Sequence, residues 1–558
     1  MLENKSTNSV FLLLCLFSVG LFNEYLSCIA SALLLIRLIY IVLRQKSFSF
    51  RLNWVLLTVC VIVFMNLLSL FWAVDRGTAI IGFLKYLPVL LFLIMAQQGE
   101  NAEDFTAVLP IGAVIMTLIS APLSFIPKLS AYFTVAGRLS GFFQYSNTYA
   151  LFALISLIVL LSGGMKKIYE WFFAAVILFG ILYSGSRTVF IIMLIAVPAA
   201  VIVSKNKKLI ITSCALLTVG ILGAVIYAFA TDNFAGIGRF LTLSLKESTF
   251  LGRLLYYKDA LPIILKHPFG LGFMGYYYMQ QSFQTGVYSV MYVHNDFLQI
   301  MLDIGWIPAA LLIFAVVRSF FKKGAGAVRR IIILTFCAHS CFDFNFAFAA
   351  MFLLFILLLD WNSGRKVTVN GIAPVITAGT VLTLVSVYFG TALFLSYIKK
   401  DETALKLYPF NTVSQLRLLT DAESTDDMYE TAEDIIGHNK YISACYSAIS
   451  KYYYSQGDFQ KVMEYKRLTL DCAPYSTEEY NEYAYMLIMG VQLYERAGDS
   501  VSANYCRYEL LDIPERLNRV KEKTDKIGYL IKDKPDLSLK EEINDYISKT
   551  SVSMEEQK

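Results

Sequence analysis

Thirteen apolar runs set the terms for this chain, near residues 9–22, 25–43, 54–73, 78–96, 106–126, 147–163, 169–184, 187–204, 209–230, 296–320, 328–345, 346–360 and 372–397. A helix needs about 20 apolar residues to cross a bilayer, and backbone in lipid must satisfy its own hydrogen bonds. The runs predict an all-α, polytopic transmembrane helical bundle of about 12–13 spans. The first run leads through Asn23, Glu24 and Tyr25 into a second, so it reads as a span rather than a cleaved signal. Residues 328–360 are too long for one ordinary crossing, because a single helix there would reach about 45 Å. The polar break at Ser340, Asp343 and Asn345 predicts two short spans with a turn between them.

Charge divides the chain. Residues 1–400 carry 29 Lys and Arg against 14 Asp and Glu, whereas residues 401–558 carry 19 against 29. That shift predicts a membrane domain over 1–400 and a soluble helical tail over 401–558. The net charge of +5 is no sign of nucleic-acid binding, since the basic residues sit in short loops between apolar runs. Arg44/Lys46/Arg51, Lys166/Lys167, Lys205/Lys207/Lys208 and Lys322/Lys323/Arg329/Arg330 fall on one side if the spans alternate. The positive-inside rule makes that side cytoplasmic. The polar stretch 231–293, the 127–146 segment and the Tyr183–Arg187 turn are then extracytoplasmic, as is the tail if 328–360 crosses twice.

Nine cysteines offer no CxxC pair or zinc spacing. In the tail, Tyr452-Tyr-Tyr-Ser-Gln-Gly-Asp-Phe459 followed by Pro474 resembles one tetratricopeptide unit, and a second partial unit surrounds Tyr494–Asp499. Val462 and Thr469 stand where that pattern has alanine, so an unrelated helical bundle remains open.

Charges at span ends are costly and are candidates for function. Arg138, Arg187, Arg253 and His294 all fall on the outer side. Guanidiniums keep their charge and present a planar fork of donors, which suits a pyrophosphate. An imidazole, ordinarily titrating near about 6.5, can accept a hydroxyl proton near neutral pH. The outer acidic residues Asp232, Glu247, Asp259 and Asp296 form no paired motif. Leaving-group stabilisation by arginines, with no metal and no cofactor, is therefore the expectation. Bland readings stand beside these. Arg187 suits a snorkelling span-end arginine, and Arg138 and Arg253 suit ordinary loop charges. His294 suits a polar helix start, and His267 before Pro268 suits a turn. His339 and Asp343, four apart, suit a structural contact on one helix face. Gly270-Leu-Gly-Phe-Met-Gly275 follows no strand–helix unit and reads as a tight turn.

The blocks Arg138-x-x-Gly141…Asn147, Ser186-Arg187, Gly252-Arg253 with Lys266-His-Pro-Phe-Gly-Leu-Gly-Phe273, and His294-Asn295-Asp296…Gly305 occur in that order. In this order, separated by a long polar loop, they resemble the O-antigen ligase and polymerase family over about 130–345. The resemblance implies a GT-C-like bundle in the bacterial cytoplasmic membrane with its active site outside. It implies an inverting, metal-independent transfer of a glycan from a polyprenyl-pyrophosphate carrier to a hydroxyl of a glycan, lipid or protein acceptor. Arg187 and Arg253 would hold the pyrophosphate as catalytic and binding residues, with Arg138 and Asn295 binding substrate. His294 would activate the acceptor. The tail suits docking of an acceptor or a protein partner. A transporter or flippase for lipid-linked sugars is the alternative of a different class, although such proteins place their charges near the midplane.

Overall fold

Where a run of apolar residues is interrupted by glycine or a polar turn, the backbone reverses, and these reversals sort the chain onto two faces. The computed structural model describes residues 7–98, 104–206 and 247–556, with five separate positions between 207 and 246. Apart from those positions, the expected span at 209–230 and the first part of the 231–293 stretch, with Asp232, lie outside the described residues.

The membrane part begins with α1 (Thr7–Phe17), α2 (Glu24–Gln45), strand β1 (Phe48–Leu52), α3 (Trp54–Leu68), α4 (Arg76–Ala96) and α5 (Leu109–Leu123). A short α6 (Pro127–Phe133) and the two-residue strands β2 (Thr134–Val135) and β3 (Arg138–Leu139) lead into α7 (Ser146–Ser162). Then come α8 (Ile168–Ser184) and α9 (Arg187–Val203). After the gap stand α10 (Ser248–Lys266), α11 (Gly275–Phe283), α12 (Asp296–Ile304), α13 (Trp306–Phe321), α14 (Ala327–Ser340) and α15 (Ala349–Leu358). Strand β4 (Arg365–Val369) and the long α16 (Ala373–Tyr397) close this part.

Five of the described helices are long and apolar enough to cross a bilayer, and six more are apolar but only 10–17 residues long. The all-α polytopic bundle is what the chain forms. Its centre is α7 and α15, whose apolar side chains are nearly all buried. These two are wrapped by protein, whereas α16 turns Val381, Leu384 and Val387 outward, as a lipid-facing helix does.

One face gathers basic residues. There β1 pairs antiparallel with β4, Phe48 opposite Val369 and Leu52 opposite Arg365. Asn53 Nδ2 donates to Trp361 O at 2.7 Å, Gln97 Nε2 to the same carbonyl at 2.8 Å, and Lys322 Nζ bonds Asp360 at 2.6 Å. The ribbon was not expected from the sequence, because its strands lie at opposite ends of the membrane part.

The opposite face carries the polar segments. The stretch expected as loop contains two helices, α10 and α11. The run at 296–320 is not one span: it breaks at Gly305, whose φ is +90°. A Cβ there would lie 2.3 Å from Pro268 O. The glycine lets α12 end against the 268–272 turn before α13 starts. Residues 328–360 form the expected pair of short helices. At 1.5 Å per residue, α14 and α15 are about 21 and 15 Å long, short of the ~30 Å hydrocarbon thickness. Their turn is accordingly buried in the bundle, with Asp343 and Asn345 at zero exposure.

The tail is helical throughout: α17 (Asp401–Leu407), α18 (Thr412–Asp421), α19 (Thr425–Ile436), α20 (Ser443–Ser455), α21 (Phe459–Cys472), α22 (Thr477–Arg496), α23 (Ser500–Lys523) and α24 (Glu541–Glu556). Two helical hairpins, α20–α21 and α22–α23, turn at Gly457 and Gly498, both at positive φ. The tail packs on the polar face. The buried Asp75 carboxylate, between α3 and α4, accepts from Thr412 Oγ1 at 2.6 Å and Asn439 Nδ2 at 2.9 Å.

Candidate functional site

Asp343 is where the candidate residues meet. It lies in the buried turn after α14, so it does not share a helix face with His339 as the four-residue spacing suggested. The helix ends at Ser340 and the chain turns away. Its Oδ1 accepts the Tyr145 hydroxyl at 2.8 Å and lies 3.5 Å from His294 Nδ1. Its Oδ2 accepts Asn147 Nδ2 at 2.6 Å and lies 3.6 Å from Arg253 Nη2. Three separated parts of the sequence thus converge on one carboxylate.

His294 is placed by its backbone. Its φ is +57°, in the left-handed region that non-glycine residues rarely occupy. Neighbouring groups hold it there. Tyr257 Oη donates to His294 O at 2.7 Å, and Val293 N donates to Gln299 Oε1 at 2.9 Å. The Asn295 side chain caps α12, accepting from the Phe297 and Leu298 amides at 3.1 Å, and its Nδ2 donates to Cys341 O at 3.1 Å. Asn295 therefore fixes the turn that carries His294 and ties it to the turn that carries Asp343.

Arg138, on β3, is held by the α7 and α8 ends. Its Nε donates to Ser184 O at 2.7 Å and its Nη2 to Asn147 Oδ1 at 2.8 Å. Asn147 thereby links Arg138 to Asp343. Arg187 begins α9 just after Gly185, at φ +58°, ends α8. It pairs with Glu247, the residue preceding α10. Arg187 thus stands at the entrance to the helix that carries Arg253.

Aromatic rings wall the cluster. Phe344 lies 5.0 Å from the His294 ring, edge to face, and 5.0 Å from Tyr292, stacked. Tyr256 is 6.2 Å from His294 and 4.5 Å from Tyr288. Among the described residues no three His, Cys, Asp or Glu side chains gather as a metal site.

Sequence reasoning singled out Arg138, Arg253, His294 and Asn295, which the fold brings to one network, and Arg187 at its edge. It placed Asn147 in a family-like block without a role, gave Asp343 only a structural contact with His339, and did not single out Tyr145. The signal for Asp343 was present, since a carboxylate in an apolar hairpin is costly unless it is paired.

Residues 172–314 match the family model described as O-antigen ligase. That stretch contains Arg187, Arg253, His294 and Asn295, and stops short of Asp343. No curated protein matches the chain.

Proposed function

We propose, on the premise that an O-antigen ligase domain makes this chain a membrane protein of that family with a glycosyltransferase-like role in polysaccharide biosynthesis, that it moves a glycan from a polyprenyl-pyrophosphate carrier to an acceptor hydroxyl outside the cytoplasmic membrane. The observation that carries this reading is the pairing of His294 and Arg253 through one buried carboxylate. Asp343 at Nδ1 favours the tautomer protonated there, which leaves Nε2 free to accept a proton. The acceptor oxygen attacks the anomeric carbon from the face opposite the carrier, and its proton passes to His294 Nε2. The bond between that carbon and the pyrophosphate oxygen breaks, and the electron pair leaves with the pyrophosphate. Configuration at the carbon inverts.

Negative charge grows on the leaving group as the bond breaks. Arg253 and Arg187 meet it with charge-assisted donors, and Arg138 extends the cationic rim. Such donors act more strongly on the transition state than on the bound substrate. Asn295 and Asp343 are positioning residues: the first fixes the His294 turn, and the second orients the imidazole and the guanidinium together. The tail, docked on the same face, suits recognition of the acceptor or of a protein partner.

The test is donor binding and turnover measured separately, in the presence of acceptor. His294→Ala is expected to bind donor like wild type and to lose about 10²–10⁴-fold in turnover. Unchanged turnover in His294→Ala overturns the base assignment. Because the donor set is arginine-rich rather than carboxylate-rich, turnover of purified protein is expected to survive chelation. Strict dependence on added Mg²⁺ or Mn²⁺ overturns the arginine-only account.

A further inference from the structure

Two junctions that pin the tail to the polar face differ in their chemistry. Behind α10, two glycines meet: a Cβ on Gly286 would lie 2.9 Å from the Gly528 Cα, and one on Gly528 would lie 2.9 Å from Thr285 O. Asp525 N donates to Thr285 O at 2.8 Å, Lys258 pairs with Asp525, and Ile531 is buried with Leu255 and Tyr288. A lysine–aspartate pair keeps both charges between about pH 5 and 8. This junction is therefore indifferent to protons in that range.

The other junction lies at the start of α4. A Cβ on Gly77 would overlap Phe410 O, and Tyr408 Oη donates to Gly77 O at 2.5 Å. Beside it the buried Asp75 carboxylate accepts from Thr78 N at 2.9 Å, Asn439 Nδ2 at 2.9 Å and Thr412 Oγ1 at 2.6 Å. Facing three donors, it acts as acceptor only. Thr412 Oγ1 is in turn 3.2 Å from Nε2 of the buried His438, whose Nδ1 is 3.0 Å from Asp434 O in the last turn of α19. Counting protons fixes the state of the ring. A carbonyl oxygen only accepts, so Nδ1 carries a proton. The single hydroxyl proton of Thr412 goes to Asp75, so Thr412 Oγ1 meets Nε2 as an acceptor, and Nε2 carries a proton too. The imidazole that satisfies every contact is the cation. It stands at the C-terminal end of α19, where positive charge is favoured. With one proton fewer, the ring sets a lone pair against an oxygen or draws the Thr412 proton away from Asp75.

The charged residues flanking these three, Arg76, Glu433, Asp434 and Lys440, are exposed, and Phe410 lies edge to face with the His438 ring at 5.7 Å. Burial holds the Tyr278 and Tyr408 phenols above their ordinary value. Of these groups, an imidazole is the one that ordinarily changes charge near neutrality, at about pH 6.5. We propose that Asp75, Thr412 and His438 form a proton-operated latch between the membrane part and the tail: two protons on the imidazole close it, and loss of one opens it. The Gly286–Gly528 junction stays shut, so the tail loosens at 408–441 while residues 525–531 remain against α10, the helix that carries Arg253. The latch is independent of which group the site transfers.

The experiment uses the full chain in nanodiscs at about pH 5.5 and about pH 8, either side of the ordinary imidazole value. Amide hydrogen exchange, corrected for its intrinsic pH dependence, compares 408–441 with 525–531 as an internal reference. Exchange is read rather than turnover because His294 is itself an imidazole. Wild type is expected to open 408–441 about tenfold more at the higher pH, the equivalent of one charge-assisted hydrogen bond, with 525–531 unchanged. His438→Gln has no titrating ring and is expected to exchange alike at both pH values. Thr412→Val keeps the side-chain shape but cuts the link, and is expected to be open at both. The chain has four histidines, so isotope-labelled histidine spectra identify the His438 signal as the one lost in His438→Gln. Both of its ring nitrogens are expected to be protonated at the lower pH. Equal protection of 408–441 at both pH values in wild type overturns the latch. So does a pH response that persists in His438→Gln or Thr412→Val, a His438 ring with one proton at the lower pH, or equal loosening of 525–531. Should His438→Gln not fold, wild type and Thr412→Val still decide.

Discussion

Asp343 is buried and charged, a combination that survives only when every lone pair is used. Replacing it with asparagine keeps the size but puts an amide where Asn147 Nδ2, Tyr145 Oη, His294 and Arg253 expect an acceptor. Asp343→Asn is expected to lower turnover by about 10²–10³-fold, as loss of one electrostatic partner does, and to weaken donor binding as well, because Arg253 loses its orientation. Turnover within a few-fold of wild type would falsify the positioning role. Arg187→Lys and Arg253→Lys keep charge but lose the fork, and both are expected to turn over poorly while the protein still folds. His294→Gln keeps a hydrogen bond but accepts no proton, and is expected to fail like His294→Ala. The arginines and the histidine were legible because charge next to an apolar run stands out. The carboxylate that joins them was legible as an oddity but not as a hub. Its partners come from residues 145–147, 253 and 294, and no local pattern reports such convergence.

Elements were legible where hydrophobicity runs unbroken. The five long helices and the α14–α15 hairpin follow from apolar length and from one polar break. The helices α10 and α11 were not, because their amphipathic faces are covered by other polar-face segments and by the tail, which leaves no long apolar run. The β1–β4 ribbon escaped for a different reason, since short strands among basic loop residues carry little signal until a distant partner is known. Gly305 shows how one residue divides an element. Alanine there would meet Pro268 O and Phe269 and would have to hold φ near +90°. Gly305→Ala is expected to cost about 1–3 kcal/mol, read as a lower thermal midpoint in detergent, and to depress turnover, because α12 hangs directly from His294. A midpoint and a turnover both equal to wild type would show that the bend is dispensable.

At the scale of the whole molecule, the charge break near residue 400 announced two parts, and the fold keeps them in contact on one face. Accessibility follows. Single cysteines introduced at exposed positions within 248–285 and 420–540 are expected to react together with a membrane-impermeant reagent applied from outside. Labelling of one set without the other contradicts the shared face, and labelling of neither from outside reverses the orientation drawn from the basic loops. What the sequence could not convey is that the tail abuts the chemistry, because the meeting of Gly286 and Gly528 leaves no trace in composition or periodicity. That meeting also bears on when the protein becomes competent. Ribosomes deliver Gly528 only after every apolar helix, so a nascent chain can hold His294, Arg253 and Asp343 in register and still lack the segment that backs α10. Molecules cut short before that point are expected to keep the membrane helices and to turn over poorly, and a chain ending at residue 524 that turns over like wild type would show that this junction is dispensable.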